Sequence, residues 1–246
     1  MPQPEKNELD LLIGHKIDNW SIPDRPSRQV LTGKYCQLEP LSMEKHSESL
    51  FEANQVDADD RIWVYLPYGP FQSLEQYQEW ISNNCFNGDP FFYAIVDNTS
   101  HKAIGVASYL RIDPPNGSIE VGHINYSPAL QNTIAATEAM YLMMENVFHL
   151  GYRRYEWKCN SLNEKSCRAA KRLGFSFEGV FRQASVSKGR NRDTSWFAMI
   201  DLEWPALRQA FTHWLSQKNF DENGQQQQAL SKMTKEALDS FHGNSE

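Results

Sequence analysis

The chain has 246 residues, 40% of them apolar, 22% charged and 12% aromatic, which suits one large domain or one domain with appendages. Its 24 lysines and arginines against 31 aspartates and glutamates leave a net charge of −7, which argues against a dedicated nucleic-acid binder working through a basic face but leaves room for local basic patches. No apolar run approaches the roughly 18 residues of a membrane span, and the start of the chain lacks the basic opening and apolar centre of a secretory signal, so a cytoplasmic protein without a membrane partner is expected.

Residues 1–30 combine Pro2, Pro4, Pro23 and Pro26 with charges and a compact patch around Trp20; they read as an extended arm. Residues 35–40 alternate as a strand, and Ser42 then caps a helix with Met43, His46, Leu50, Phe51 and Ala53 near one face. An aromatic loop follows over 61–71. Ser73 opens a second helix toward Cys85, with Leu74, Tyr77 and Trp80 at helical spacing. Residues 91–96, 103–110 and 118–124, divided by Asp97-Asn98 and Pro114-Pro115-Asn116-Gly117, read as an antiparallel meander.

Beyond Pro128 a long helix is predicted over 133–149, stopped by Gly151, and a strand over 152–159. A helix over 164–173 ends at Gly174, where a left-handed residue is expected. Strands over 177–188 and 194–203 are joined by a turn at 189–193, and Pro205 starts a helix carrying Leu207, Phe211, Trp214 and Leu215. After the polar run 225–228 come a short helix over 230–241 and a mobile tail from His242. Cys36, Cys85, Cys159 and Cys167 form no CxxC pair, so free thiols are expected, with neither a zinc site nor a disulfide framework.

The junction 124–139 is the first candidate site. A helix N-terminus offers unpaired N–H groups and the positive end of a dipole, so it can hold a pyrophosphate with no basic side chain. Ala135, Ala136 and Ala139 would let a ligand approach the backbone, while Asn132, Thr133 and Thr137 offer side-chain hydrogen bonds. An ordinary capped helix packing its alanine face on a sheet is the other reading of these residues. The second candidate begins Asn163-Glu164-Lys165-Ser166 and continues through a short helix to Leu173-Gly174-Phe175 and Glu178-Gly179. In this order and spacing, the segment resembles the cofactor-binding helix of GNAT-type N-acetyltransferases, in particular the RimJ/RimL branch, and the resemblance extends over about 31–205.

The resemblance implies an α/β (α+β) fold with a mixed, mostly antiparallel sheet of about seven strands flanked by helices. Its fourth and fifth strands, here 118–124 and 152–159, would splay to admit the pantetheine arm of acetyl-CoA. Main-chain groups near Ile124 and Tyr126 would pair with the pantetheine amides. The N–H groups of Gln131, Asn132, Thr133, Ile134, Ala135 and Ala136 would cradle the pyrophosphate, and Asn163 would contact the arm. Ile134 stands where the family has glycine; its branched side chain restricts the turn, so ordinary helical dihedrals and fewer phosphate contacts are expected there. No metal is implied.

Direct transfer from a thioester to an amine needs a neutral amine, a polarised carbonyl and a leaving thiolate that can be protonated. Many family members place a tyrosine acid seven residues after the asparagine. Here that position is Ala170, and Ser166 occupies the site that the RimJ/RimL branch uses instead; helix-start hydrogen bonding is its alternative role. His123 and Glu120 are the base candidates, and strand alternation puts them on opposite faces. His123 has the better ordinary pKa, and either residue could be structural. Trp63, Tyr65, Tyr68, Trp157, Arg190 and Arg192 are candidate acceptor contacts, with core packing and a solvated turn as the alternatives.

The expected protein is therefore an acetyl-CoA-dependent N-acetyltransferase acting in a ternary complex on a primary amine of a peptide N-terminus, an amino acid or a small molecule. A CoA-binding scaffold without turnover is the alternative. The expected organisation is an arm over 1–30, a transferase domain over 31–205, and a C-terminal helix and polar tail over 206–246. A homodimer is possible, and no direct nucleic-acid binding is expected.

Overall fold

The computed structural model describes residues 3–243. Its elements are β1 (Glu5–Lys6), β2 (Leu12–Ile13), β3 (Leu31–Thr32), β4 (Cys36–Pro40), α1 (Met43–Gln55), α2 (Leu74–Asn84), β5 (Phe91–Asp97), β6 (Ala103–Asp113), β7 (Ser118–Tyr126), α3 (Ile134–His149), β8 (Arg154–Asn160), α4 (Glu164–Arg172), β9 (Ser176–Ser187), β10 (Arg190–Ile200), α5 (Trp204–Trp214) and α6 (Leu230–Gly243). Eight strands form one sheet in the order β3-β4-β5-β6-β7-β8-β10-β9. Every neighbouring pair is antiparallel except β7 with β8. The seven anticipated strands are all there, with β3 added at one edge.

The sheet is buried on both faces, and β5 shows how: Phe91, Tyr93 and Ile95 join one apolar cluster, while Phe92, Ala94 and Val96 join the other. That is the two-residue period of a strand sandwiched between helices. The first cluster takes in α3 and α5 with Leu230 and Met233 of α6; the second takes in Leu50 of α1 and Tyr77 and Ile81 of α2. Leu230 is wholly buried, and burial of such a side chain contributes on the order of 2 kcal/mol. Residues past 205 therefore complete the main core, although their composition reads as a helix and polar tail. The tail expected from His242 lies, past Gly243, outside the described residues.

Two helix ends are specified locally. Thr133 caps α3 through Oγ1, which accepts from the Ala136 N–H at 3.1 Å. Gly174, at φ 89°, ends α4 as expected. The Gly174 and Phe175 N–H groups donate to the carbonyls of Lys171 and Ala170, the paired bonds of a Schellman motif. One turn of α3 further on, Glu138 fixes the helix to the sheet: its carboxylate accepts from the N–H groups of Lys34, Tyr35 and Cys36 at 2.8, 2.6 and 2.9 Å. Gly33 makes room for this, since a Cβ there would lie 2.5 Å from the Glu138 carboxyl.

Two expectations need correction. The arm is more than extended chain: β1 and β2 form a ribbon, Arg25 Nη1 donates to the Ile112 carbonyl at 3.3 Å, and Gln29 Nε2 donates to Asn146 Oδ1 at 3.0 Å. The last hairpin is also tighter than 189–193. Lys188 and Gly189, at φ 48° and 71°, form a two-residue turn whose twist suits a hairpin, so Arg190 and Arg192 sit within β10. Among the described residues no helix is long and apolar enough to cross a membrane.

Candidate active site

β7 and β8 pair from Ser118↔Arg154 only as far as Val121↔Trp157. β7 then continues to Tyr126 and β8 to Asn160, so the two strands part and leave main-chain edges facing a notch. Unpaired strand edges are strong hydrogen-bonding surfaces. Trp157 stands at the apex of this notch.

A bulge in β7 changes the geometry expected of the two base candidates. Val106 pairs with Asn125 and Ser108 with Gly122, so β7 carries an extra residue there, and His123 takes φ 50°. Phe92 pairs with Ser108, which places Phe92, Ser108, Gly122 and Glu120 on one face. The His123 ring packs 5.1 Å from Phe92 and 5.6 Å from Tyr68. His123 therefore shares Glu120's face, and the expectation of opposite faces is overturned because the bulge breaks the alternation.

Their surroundings separate them. Glu120 is 3% exposed, and its Oε2 accepts from Arg111 Nη1 at 2.6 Å and Lys158 Nζ at 2.8 Å. Lys158 also pairs with Glu156 at 2.7 Å and lies 3.7 Å over the Trp196 ring. The Glu120 carboxylate is thus held as a counter-ion to Arg111 and Lys158. Burial, helped by Arg111 and Arg192, pushes the His123 pKa down to about 4, so its imidazole is neutral at pH 7. Its Nδ1 lies 3.3 Å from the Tyr68 hydroxyl, and burial keeps that phenol protonated. The tautomer that donates from Nδ1 to Tyr68 leaves Nε2 as an acceptor.

On the cofactor side, the chain turns into α3 through Asn132, which takes φ 60°. The left-handed residue of this turn is thus Asn132, and Ile134 begins the helix in ordinary geometry, as its branched side chain requires. With Ala136 N–H bound to Thr133, the N–H groups of Ile134 and Ala135 are left without a partner inside the helix. Gln131 Nε2 donates to the Tyr126 carbonyl at 2.8 Å, and the Tyr126 hydroxyl donates to the Ala136 carbonyl at 3.3 Å; Tyr126 thereby links β7 to α3.

α4 presents Ser166. Asn163 Oδ1 accepts from the Ser166 N–H at 3.1 Å and caps the helix. Trp157 Nε1 donates to Ser166 Oγ at 3.0 Å, which occupies one lone pair and leaves the hydroxyl hydrogen to donate. The neighbouring Cys159 thiol is pushed up to about 12 by burial, although its bond with Ser166 pulls the other way, so it is an inert thiol. Its Sγ lies 3.5 Å from that of Cys167. Ala170 is wholly buried in the main core.

One continuous cleft of about 2280 Å³ collects most of the anticipated residues: Glu120, His123, Ile124, Tyr126, Gln131, Asn132, Thr133, Ile134, Ala136, Asn163, Ser166, Trp157, Tyr65 and Arg192 all line it. Four do not. Trp63 is buried against Phe71 and Tyr68 in the α1–α2 core, Tyr68 stands behind His123, Ala135 turns its side chain to the core, and Arg190 is exposed on the hairpin. Tyr65 reaches across the cleft, its hydroxyl donating to the Leu162 carbonyl at 3.0 Å.

Sequence reasoning missed three groups: Lys158, the lining from Trp214 to Asp239, and Lys188, whose Nζ donates to the carbonyls of Trp63 and Gly69 at 2.9 Å each. The apolar spacing Leu230, Met233, Ala237, Leu238 was the available signal for the second. Nine basic side chains line the cleft against four acidic ones, a positive interior in a protein of net charge −7.

The fold is that of known proteins. The sequence model of the acetyltransferase (GNAT) domain matches residues 37–176, and the chain belongs to that family; its reaction class is N-acetyl transfer. It is 44% identical to a GCN5-related N-acetyltransferase from Brucella melitensis, covering 89% of this chain and all of that one with a TM-score of 0.87. It is 24% identical over 151 residues to an uncharacterised N-acetyltransferase, p20, of Bacillus licheniformis, covering 60% of this chain and 84% of that protein. The structure of RimL, a ribosomal-protein acetyltransferase in complex with coenzyme A, shares the fold at 21% identity, with a TM-score of 0.60 over 70% of this chain and 98% of that one.

Proposed function

We propose that this protein transfers the acetyl group of acetyl-CoA directly to a primary amine of a peptide N-terminus, an amino acid or a small molecule, in a ternary complex. The residues present suit that cofactor: unpaired N–H groups at the start of α3, parted strand edges, and a basic lining. Acetyl-CoA supplies an activated thioester. Ile134 and Ala135 offer main-chain N–H groups to the pyrophosphate, β7 beyond Val121 offers its edge to the pantetheine arm, and Asn163 offers Nδ2 while its Oδ1 caps α4.

The observation that carries the reading is Ser166 Oγ, held by Trp157 at the apex of the notch. Ser166 donates its hydroxyl hydrogen toward the departing sulfur, and Trp157 positions it. His123 Nε2 would accept a hydrogen bond from the neutral form of the acceptor amine and, with its low pKa, orient it; the proton the nitrogen sheds on forming the amide passes to solvent, and solvent replaces the hydrogen that Ser166 gives to the departing thiolate. Tyr65 and Arg192 border the acceptor end. Isothermal titration with acetyl-CoA, followed by thiol-release assays over an amine panel, tests the reading. No binding at millimolar acetyl-CoA sinks it, and tight binding without thiol release on any amine converts it to a non-catalytic CoA binder.

A further inference from the structure

The matched family domain ends at residue 176, yet later residues close one end of the cleft. From the first turn of α3 and the length of α4, the lining continues onto Trp214, Phe220, Gln225, Ser231 and Lys235. This wall is fixed in place. Leu230 is buried in the main core, Thr234 Oγ1 donates to the Arg172 carbonyl at 3.1 Å, and Asn219 Nδ2 donates to the carbonyls of Trp214 and Gln228, both at 3.2 Å. The Trp214 ring covers the Arg172 guanidinium at 5.4 Å, and Arg172 Nη2 donates to Thr137 Oγ1 at 2.8 Å, which brings a cation to the start of α3.

The charges at this end are unbalanced. Among the described residues, Lys171, Arg172 and Lys235 have no carboxylate at ion-pair distance, whereas at the acceptor end Arg61, Arg111 and Lys158 are paired and Arg192 alone is not. In a chain with seven more acids than bases, three cations without counter-ions around one cavity end call for an anion from outside. Along α4, Ser166 and Arg172 are six residues apart, so at 1.5 Å per residue roughly 9 Å separates the Ser166 end of the cleft from this one.

We propose that the wall over residues 214–239 is the nucleotide end of the cofactor site, and that Lys235 and Arg172 hold the 3′-phosphate of the CoA ribose. The inference rests on the acetyl-CoA reading above. A helix N-terminus takes a diphosphate without basic side chains; the cations beside it are then left for the remaining phosphate, the group that distinguishes CoA from dephospho-CoA. A guanidinium and an ammonium are the donors suited to a phosphate dianion.

Titration calorimetry of the full chain with CoA and with dephospho-CoA tests this. CoA is expected to bind at least about tenfold tighter. Lys235→Ala removes most of that ratio and leaves dephospho-CoA affinity unchanged, while Lys235→Arg retains the ratio. Lys235 is the informative position because it is exposed and, among the described residues, unpartnered, whereas Arg172 also packs on Trp214. Equal wild-type affinities for the two ligands, or a ratio that Lys235→Ala leaves intact, overturn the proposal and leave the acetyl-CoA reading standing. Binding of neither ligand overturns both.

Discussion

Along α3 and α4 the cleft is built from helix ends and main-chain groups, whereas its acceptor side is built from side chains packed between strands far apart in sequence. The first kind of site depends little on which side chains are present, provided the caps and turns hold. The second depends on each partner, since a buried carboxylate such as Glu120 is tolerable only while Arg111 and Lys158 stay beside it. Substitutions should therefore act differently in the two halves.

The largest effect is expected at their meeting point. Ser166→Ala should lower kcat at least about 100-fold, with acetyl-CoA affinity by calorimetry within about twofold of wild type; unchanged turnover removes Ser166 from the mechanism. On the acceptor side, Glu120→Gln should cost about 2 to 3 kcal/mol of unfolding free energy in urea, moderated because Lys158 keeps Glu156. A large loss of kcat with little loss of stability would instead make Glu120 the base and break the distinction drawn here.

His123 gives a pH test of the same half. Its folded pKa of about 4 lies below the ordinary 6.5, so the unfolded chain takes up this proton first. The stability tied to His123 is complete above pH 6.5 and declines as pH falls from there toward 4. His123→Asn should flatten that decline by about 1 to 2 kcal/mol, allowing for residual solvent contact; urea midpoints at pH 7 and 4.5 measure it, and an identical decline in the variant refutes it. In the cofactor half, Thr133→Ala should cost about 1 kcal/mol through the lost cap, with weaker acetyl-CoA binding. Arg190→Ala, outside the cleft, should leave acceptor KM and stability at wild-type values; a raised KM would return Arg190 to the acceptor site.

What could be read in advance follows the same division. Asn163, Ser166 and Gly174 announce α4 because cap, spacing and left-handed stop are local signals, and Pro128 to Gly151 frames α3 similarly. The bulge at His123 has no such signal: a histidine at positive φ looks like any strand residue until β6 is laid beside it. The Lys158 pairs with Glu120 and Glu156 are equally hidden, because register between β7 and β8 decides them. Trp63 was readable as acceptor contact or as core, and the sequence alone could not choose, since Gly69 and Phe71 bury it only after the loop folds back. At the C-terminus the helix over 230–241 was readable but its docking was not, because nothing local to Leu230 or Met233 says which surface they pack against.

The placement of Leu230 and Met233 in the main core also bears on how the molecule comes into being. A chain emerging from the ribosome at about 5–20 residues per second has α3, α4 and the parted strands well before it has α6. α6 must dock before the core is sealed, so the nascent chain carries an open apolar face until residues 230–243 have left the exit tunnel, well after the site-forming elements are out.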